Sequence, residues 1–239
     1  MGTRKTLSGL ARILTVSSED PDLIRAQHQA LSRQMPLMYS ILLASTWAVA
    51  ITHMTIAPHW LTIGAPGLLT VVCLMRILHW WRSRGIETSA DDALLDMRRV
   101  NHLAAVISII FTFWALLLFE FGNFYTKSHI AFYIAITVIS CIFSLMHLQS
   151  AAMIVAIVVN ASFIVFFSLT GEPTFIAMAV NVFLVSISML IISNINHRNF
   201  AQMVRSQADA RRKQEEQGRL LRMMDDMPVA VMTVDPGTL

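Results

Sequence analysis

The sequence predicts an all-α membrane protein: a bundle of six transmembrane helices with both termini cytoplasmic, followed by a long signalling helix or coiled coil. Three observations carry that prediction. Hydrophobic residues make up 55% of the 239-residue chain and charged ones only 14%, with a mean hydropathy of +0.59, a balance foreign to water-soluble globules. Six apolar runs reach the roughly 20 residues that a spanning helix needs, at about 37–57, 61–81, 102–122, 128–147, 151–170 and 174–195. The basic residues crowd into alternate connections between those runs.

That alternation sets the orientation, because short loops rich in Lys and Arg stay in the cytoplasm. Arg4, Lys5, Arg12, Arg25 and Arg33 precede the first run, Arg82, Arg84, Arg98 and Arg99 fill the connection after the second, and His197, Arg198, Arg205, Arg211, Arg212 and Lys213 follow the sixth. The opposite loops carry little charge of that sign: Ala57 to Trp60, Gly122 to Ser128 with only Lys127, and Gly171 to Pro173. The expected location is the inner membrane of a bacterium, with membrane lipid as the first partner. The net charge of +3 is small, and no nucleic-acid partner is expected. The start of the chain is too polar for a cleavable signal peptide. Cys73 and Cys141 both fall inside apolar runs, which argues against a disulfide framework or a thiolate metal site.

In order along the chain, residues 1–35 divide in two. Leu7, Leu10, Ile13 and Leu14 recur at helical spacing opposite Arg4, Lys5 and Arg12, the pattern of an amphipathic surface helix, though a disordered tail fits equally. Asp20 before Pro21 then reads as an N-cap followed by the residue favoured at the first helical position, opening a lead-in helix toward the first span at Pro36. The bundle proper is expected over 36–196. Pro66, between Gly64 and Gly67, should kink the second span. Ser89 with Asp92 resembles a capping box, so the third helix should start near Ala90, several residues before its span.

After the sixth run a proline-free, charged segment of good helix formers, 197–227, should continue the helix. Spacings of three and four pick out Phe200, Met203, Gln207, Ala210, Gln214, Gln217, Leu221 and Met224, a heptad seam with apolar ends and a polar middle. It would join two copies of the chain weakly, or serve as a solvated linker helix joining nothing. Pro228 should end the helix, and Val229 to Val234 reads as one strand closed by Asp235-Pro236-Gly237. A single strand cannot fold alone, so 228–239 reads as the start of a further domain.

Two stretches resemble known families. LLRMMDDMPVAVMTVDPGTL is similar to the entry of a PAS domain: an incoming helix, a Met-Pro junction and a first strand ending in Asp. Residues 30–85, particularly RQMPLMY, THMTIAPHWL and the segment Arg76 to Trp81, resemble the MASE-type membrane sensor regions of bacterial GGDEF and EAL proteins, which make and degrade cyclic di-GMP. The resemblance implies a sensory input module whose output lies outside the sequence. Neither GGDEF nor EAL signatures occur here, so the fragment itself is expected to have no enzymatic activity. A histidine kinase would use the same input, and a passive membrane anchor would look the same. A transporter is disfavoured, since no repeat relates the first three spans to the last three.

Ionisable groups at membrane depth cost about 2.5 to 3.5 kcal/mol on insertion scales, so each invites a functional reading. His53, His59, Glu120 and His129 should lie at similar depth on the outer side, and three imidazoles with a carboxylate suit zinc, copper or nickel, or a small ligand. No HxxxH or HxxE pattern supports them, and interfacial histidines are ordinarily satisfied by headgroups and water. His79, His102, His147 and His197 should lie at the cytoplasmic ends, where a pair could ligate a haem or simply cap helices. The cofactor, if any, is unknown. Arg76 should snorkel beside Trp80 and Trp81, and Asn160 and Asn181 should hydrogen-bond between helices.

Overall fold

The computed structural model describes residues 20–84 and 88–225. Among them there is no strand, and six helices are long and apolar enough to cross a membrane. They are α1 (Pro21–His53), α2 (a π-helical start, Trp60–Gly64, continued by Ala65–Arg82), α3 (Ala90–Leu118), α4 (Phe124–Ser144), α5 (Gln149–Thr170) and α6 (Pro173–Asp225). The N-terminal surface helix, the side chain of Met224 and the strand expected at Val229 to Val234 lie outside the described residues.

The helix starts follow local chemistry. The Asp20 carboxylate accepts from the backbone N–H groups of Asp22 and Leu23, capping α1 with Pro21 in its first turn. Ser89 accepts from Asp92 N–H at 3.2 Å, while its hydroxyl donates to the Asp92 carboxylate at 2.8 Å. Asn123 caps α4 through the N–H groups of Tyr125 and Thr126. Gly171 ends α5 at φ +73°, the left-handed conformation that glycine adopts without steric cost.

The lead-in helix and the first span are one helix rather than two. Pro36 lacks the N–H that would donate to Ser32 O, yet α1 runs through it. Arg84, just past the end of α2, supplies the missing donors: its Nε lies 3.3 Å from Ser32 O and its Nη2 3.1 Å from Arg33 O. Pro66 acts the same way in α2. Ala65 N–H reaches back five residues to Trp60 O, and Pro66 has no N–H to offer Leu61 O. The Trp114 indole, from α3, donates to that carbonyl at 2.8 Å. Proline is tolerated at membrane depth when a neighbouring helix satisfies the freed group.

Helices α1 and α4 form the centre. One face of α1, Ile24, His28, Leu31, Met35, Met38, Leu42, Thr46, Val49 and His53, is buried along its whole length, at the three-and-four spacing of a packed stripe. It touches α2, α3, α4 and α6, whereas α2 packs chiefly on α1. Thr46 joins α1 to α4: its hydroxyl proton goes to Leu42 O at 2.7 Å, so it accepts from the Tyr133 hydroxyl at 2.8 Å. Tyr133 sits edge-on to Trp114 and beside Phe111. At the end away from the termini, Phe119 packs edge-on to Phe166, Phe167 and Phe175. The bundle's outer surface is apolar, with Leu68, Phe113, Phe132 and Leu169 among its exposed side chains, as lipid contact requires.

At 1.5 Å per residue, the 53-residue α6 is about 80 Å long. Phe175, Ala179, Val182, Ser186 and Ser193 are buried against the bundle. Their spacing continues without a phase break into Phe200, the first residue of the proposed seam.

Candidate functional site

The structure divides the outer set of candidates. His53 is fully buried at the end of α1, and Thr52 joins it to His129 at the start of α4. The Thr52 hydroxyl donates its one proton to Val49 O at 2.9 Å, so it faces both rings as an acceptor. His53 Nδ1 lies 3.1 Å from Thr52 Oγ1 and 2.9 Å from Val49 O, and His129 Nδ1 lies 3.2 Å from Thr52 Oγ1. Both Nδ1 atoms therefore carry hydrogen in the neutral rings, which leaves the Nε2 atoms as lone-pair sites. His53 Nε2 is buried and has no hydrogen-bond partner among the described residues. His59 and Glu120 are exposed in the loops before α2 and after α3. Among the described residues no three His, Cys, Asp or Glu are gathered where they could hold a metal ion.

The second set also divides. His147, in the turn between α4 and α5, neighbours His197 of α6, and its ring centre is 4.7 Å from that of Phe200. Nδ1 of each histidine is buried without a hydrogen-bond partner among the described residues. Burial, and then the proximity of His197, pushes the His147 pKa below the usual imidazole value. His79 lines a shallow recess on α2 with Arg82 and Ser83, and His102 is exposed on α3. Only one of the haem pairings that the sequence allows is therefore brought together.

Arg76 is half-buried and lies beside the Tyr39 hydroxyl of α1, with its guanidinium carbon 5.8 Å from the Trp80 ring centre. It faces an inner neighbour as well as the end of the helix toward which it was expected to snorkel. Asn160 bridges α5 and α6: it donates to Ala156 O at 2.8 Å and accepts from the Ser186 hydroxyl at 3.3 Å. Asn181 departs from the expectation, being exposed on the outer face of α6. Phe200 is used within the chain, against His147. Met203, Gln207, Ala210, Gln214, Gln217 and Leu221 are all exposed.

Four groups escaped the reading of the sequence. His28 and Asp96 approach to 3.5 Å between α1 and α3, with the buried Trp80 of α2 5.4 Å from the His28 ring. His28 falls on the buried spacing of α1, a signal that was there to be found. Arg205 of α6 meets the capping carboxylate Asp20 at 3.3 Å, and Gln149 donates to Asn194 at 3.2 Å. Thr137 of α4 is buried with its hydroxyl unpartnered. The first three clusters tie α1, α3 and α5 to their neighbours at the end of the bundle from which α6 emerges, and two of them hold α6 itself.

No family model, no curated protein and no solved structure matches the chain.

Proposed function

We propose that the chain is the sensory input module of a bacterial signalling protein, set in the inner membrane with both termini cytoplasmic. Its α6 passes a change in bundle packing to a PAS domain and a cyclic di-GMP cyclase or phosphodiesterase. The observation that supports this reading is the continuity of α6: one unbroken helix runs from the apolar bundle into a charged, solvent-exposed stalk. A displacement at one end of a continuous helix reaches the other.

The second support is how α6 is held where it leaves the bundle. Asp20, Asn194 with Gln149, and the His147–His197–Phe200 cluster engage it through polar or aromatic contacts rather than a deep apolar seam. Two packings there would differ by few interactions, the condition under which modest differential binding shifts a population. The stalk residues from Met203 to Leu221 would pair two copies of the chain, with the polar middle keeping that pairing weak.

The test is a fusion of the chain to a diguanylate cyclase domain, with one to seven residues inserted after Ala210 and cyclic di-GMP measured in the host cells. Output that varies with a period of about seven residues supports helical transmission. Output indifferent to every insertion identifies a passive anchor.

A further inference from the structure

A cavity with about 40 Å³ of free space lies inside the stalk-side half of the bundle, where α1, α3, α4 and α5 meet. Its wall includes Met35 and Tyr39 of α1, Phe111 of α3, Thr137 of α4 and Val159 of α5. Protein interiors are close-packed, and voids larger than a water molecule are few. The lining of this one is apolar, and among the described residues one oxygen or nitrogen in its wall is in want of a partner.

That atom is the Thr137 hydroxyl. Thr137 is 7% exposed, and its Oγ1 has no hydrogen-bond partner among the described residues. Many hydroxyls in these helices return to a carbonyl four residues back, as at Ser40, Ser45, Thr46, Thr70 and Ser162; Thr112, Ser150 and Ser193 share the unpartnered state of Thr137, and none of the three lines the cavity. A valine would fill the same volume without burying an unsatisfied donor. Water is a poor occupant, since a buried water needs two to four polar partners. Ser108, also in the wall, gives its proton to Ala105 O at 2.9 Å and can only accept from an occupant.

We propose that this cavity binds a small uncharged solute, mostly apolar, with one polar atom on the Thr137 hydroxyl. A cavity of about 150 Å³ takes the six heavy atoms of benzene, so the space here suits roughly one to three heavy atoms, the size of a dissolved gas or a short alcohol. Such solutes partition into the bilayer and reach the site without an aqueous channel. Four helices line the cavity, so occupancy bears directly on their packing. As a ligand site the cavity is independent of the signalling reading, and as the place where a stimulus acts it rests on that reading.

Binding is measured on the whole chain in lipid nanodiscs, without any output domain, so that its failure is separate from a failure of the fusion experiment. Ethanol is followed by saturation-transfer NMR and xenon by its chemical shift, in the wild type, in Thr137→Val and in Ala104→Leu, which places bulk in the cavity wall. The expected result is saturable binding of both probes to the wild type. Thr137→Val weakens ethanol about fivefold, the worth of one hydrogen bond, and keeps xenon, whereas Ala104→Leu loses both. Signals that rise linearly and equally in all three proteins mean lipid partition and overturn the proposal. Ethanol binding unchanged in Thr137→Val overturns the role of the hydroxyl.

Discussion

The Trp114 indole N–H donates at 2.8 Å to the carbonyl of Leu61, which Pro66 leaves without a helical donor. A bond between α3 and α2 thus completes the backbone of α2. Trp114→Phe should cost about 1 to 3 kcal/mol, the penalty of an unsatisfied buried acceptor. Pro66→Ala restores an N–H five residues after Leu61 and should recover part of that loss in the Trp114→Phe background. Unfolding of the single and double variants in detergent checks this, and a Pro66→Ala effect that is identical with and without Trp114 would refute the coupling.

Asp20 has two roles that substitution can separate. Asp20→Ala should destabilise the start of α1 by about 1 kcal/mol through loss of the cap. Asp20→Asn keeps an acceptor for the Asp22 and Leu23 N–H groups and removes only the charge facing Arg205, a largely exposed partner worth about 0 to 1 kcal/mol. Hydrogen exchange over 21–25 should therefore accelerate in the alanine variant and stay near wild type in the asparagine variant.

His147 makes the fold sensitive to acid. Its folded-state pKa is lowered by burial and by His197, so the unfolded chain takes up a proton first as pH falls through about 6.5. Its contribution is therefore retained above that pH and lost below it. Among the described residues His147 neighbours His197 and Phe200, and no carboxylate is paired with its ring. The melting temperature of the wild type should drop more between pH 7.5 and 5.5 than that of His147→Gln, and equal slopes would count against this assignment.

Gly122 closes the turn between α3 and α4 at φ +96°, and a Cβ there would meet Ile56 Cδ1 at 2.8 Å as well as the Thr126 side chain. Gly122→Ala should lower stability by about 1 to 3 kcal/mol, whereas Gly64→Ala, with open space around its Cβ, should not. Thermal melts of the two variants side by side decide it.

Much of the helical order was readable in advance because it is local. Asp20 and Ser89 announce helix starts through the chemistry of a single turn, and the run of apolar residues that makes α5 is long enough to span a bilayer whatever surrounds it. Pro36 misled for the same reason: on local grounds it marks a boundary, and only Arg84, 48 positions later in the chain, makes a continuous helix tolerable. The candidate sites were less readable. Sequence groups His53 with His129 on depth alone, and depth does not say which helices are neighbours. The same logic placed His59 and Glu120 beside them, and the structure leaves both exposed in separate loops.

Residue order alone is enough to make the described chain helical, to suit six of its helices to a membrane, and to continue the last into a charged stalk. Those properties follow from hydropathy, backbone capping and helix propensity, which act over a few turns. Which carbonyls freed by proline find donors, that Phe200 packs on His147 of the bundle, and that Thr137 faces a cavity are visible only once the helices are packed together. Each of these depends on which face of a helix meets which neighbour, and that is settled by packing between residues far apart in the chain.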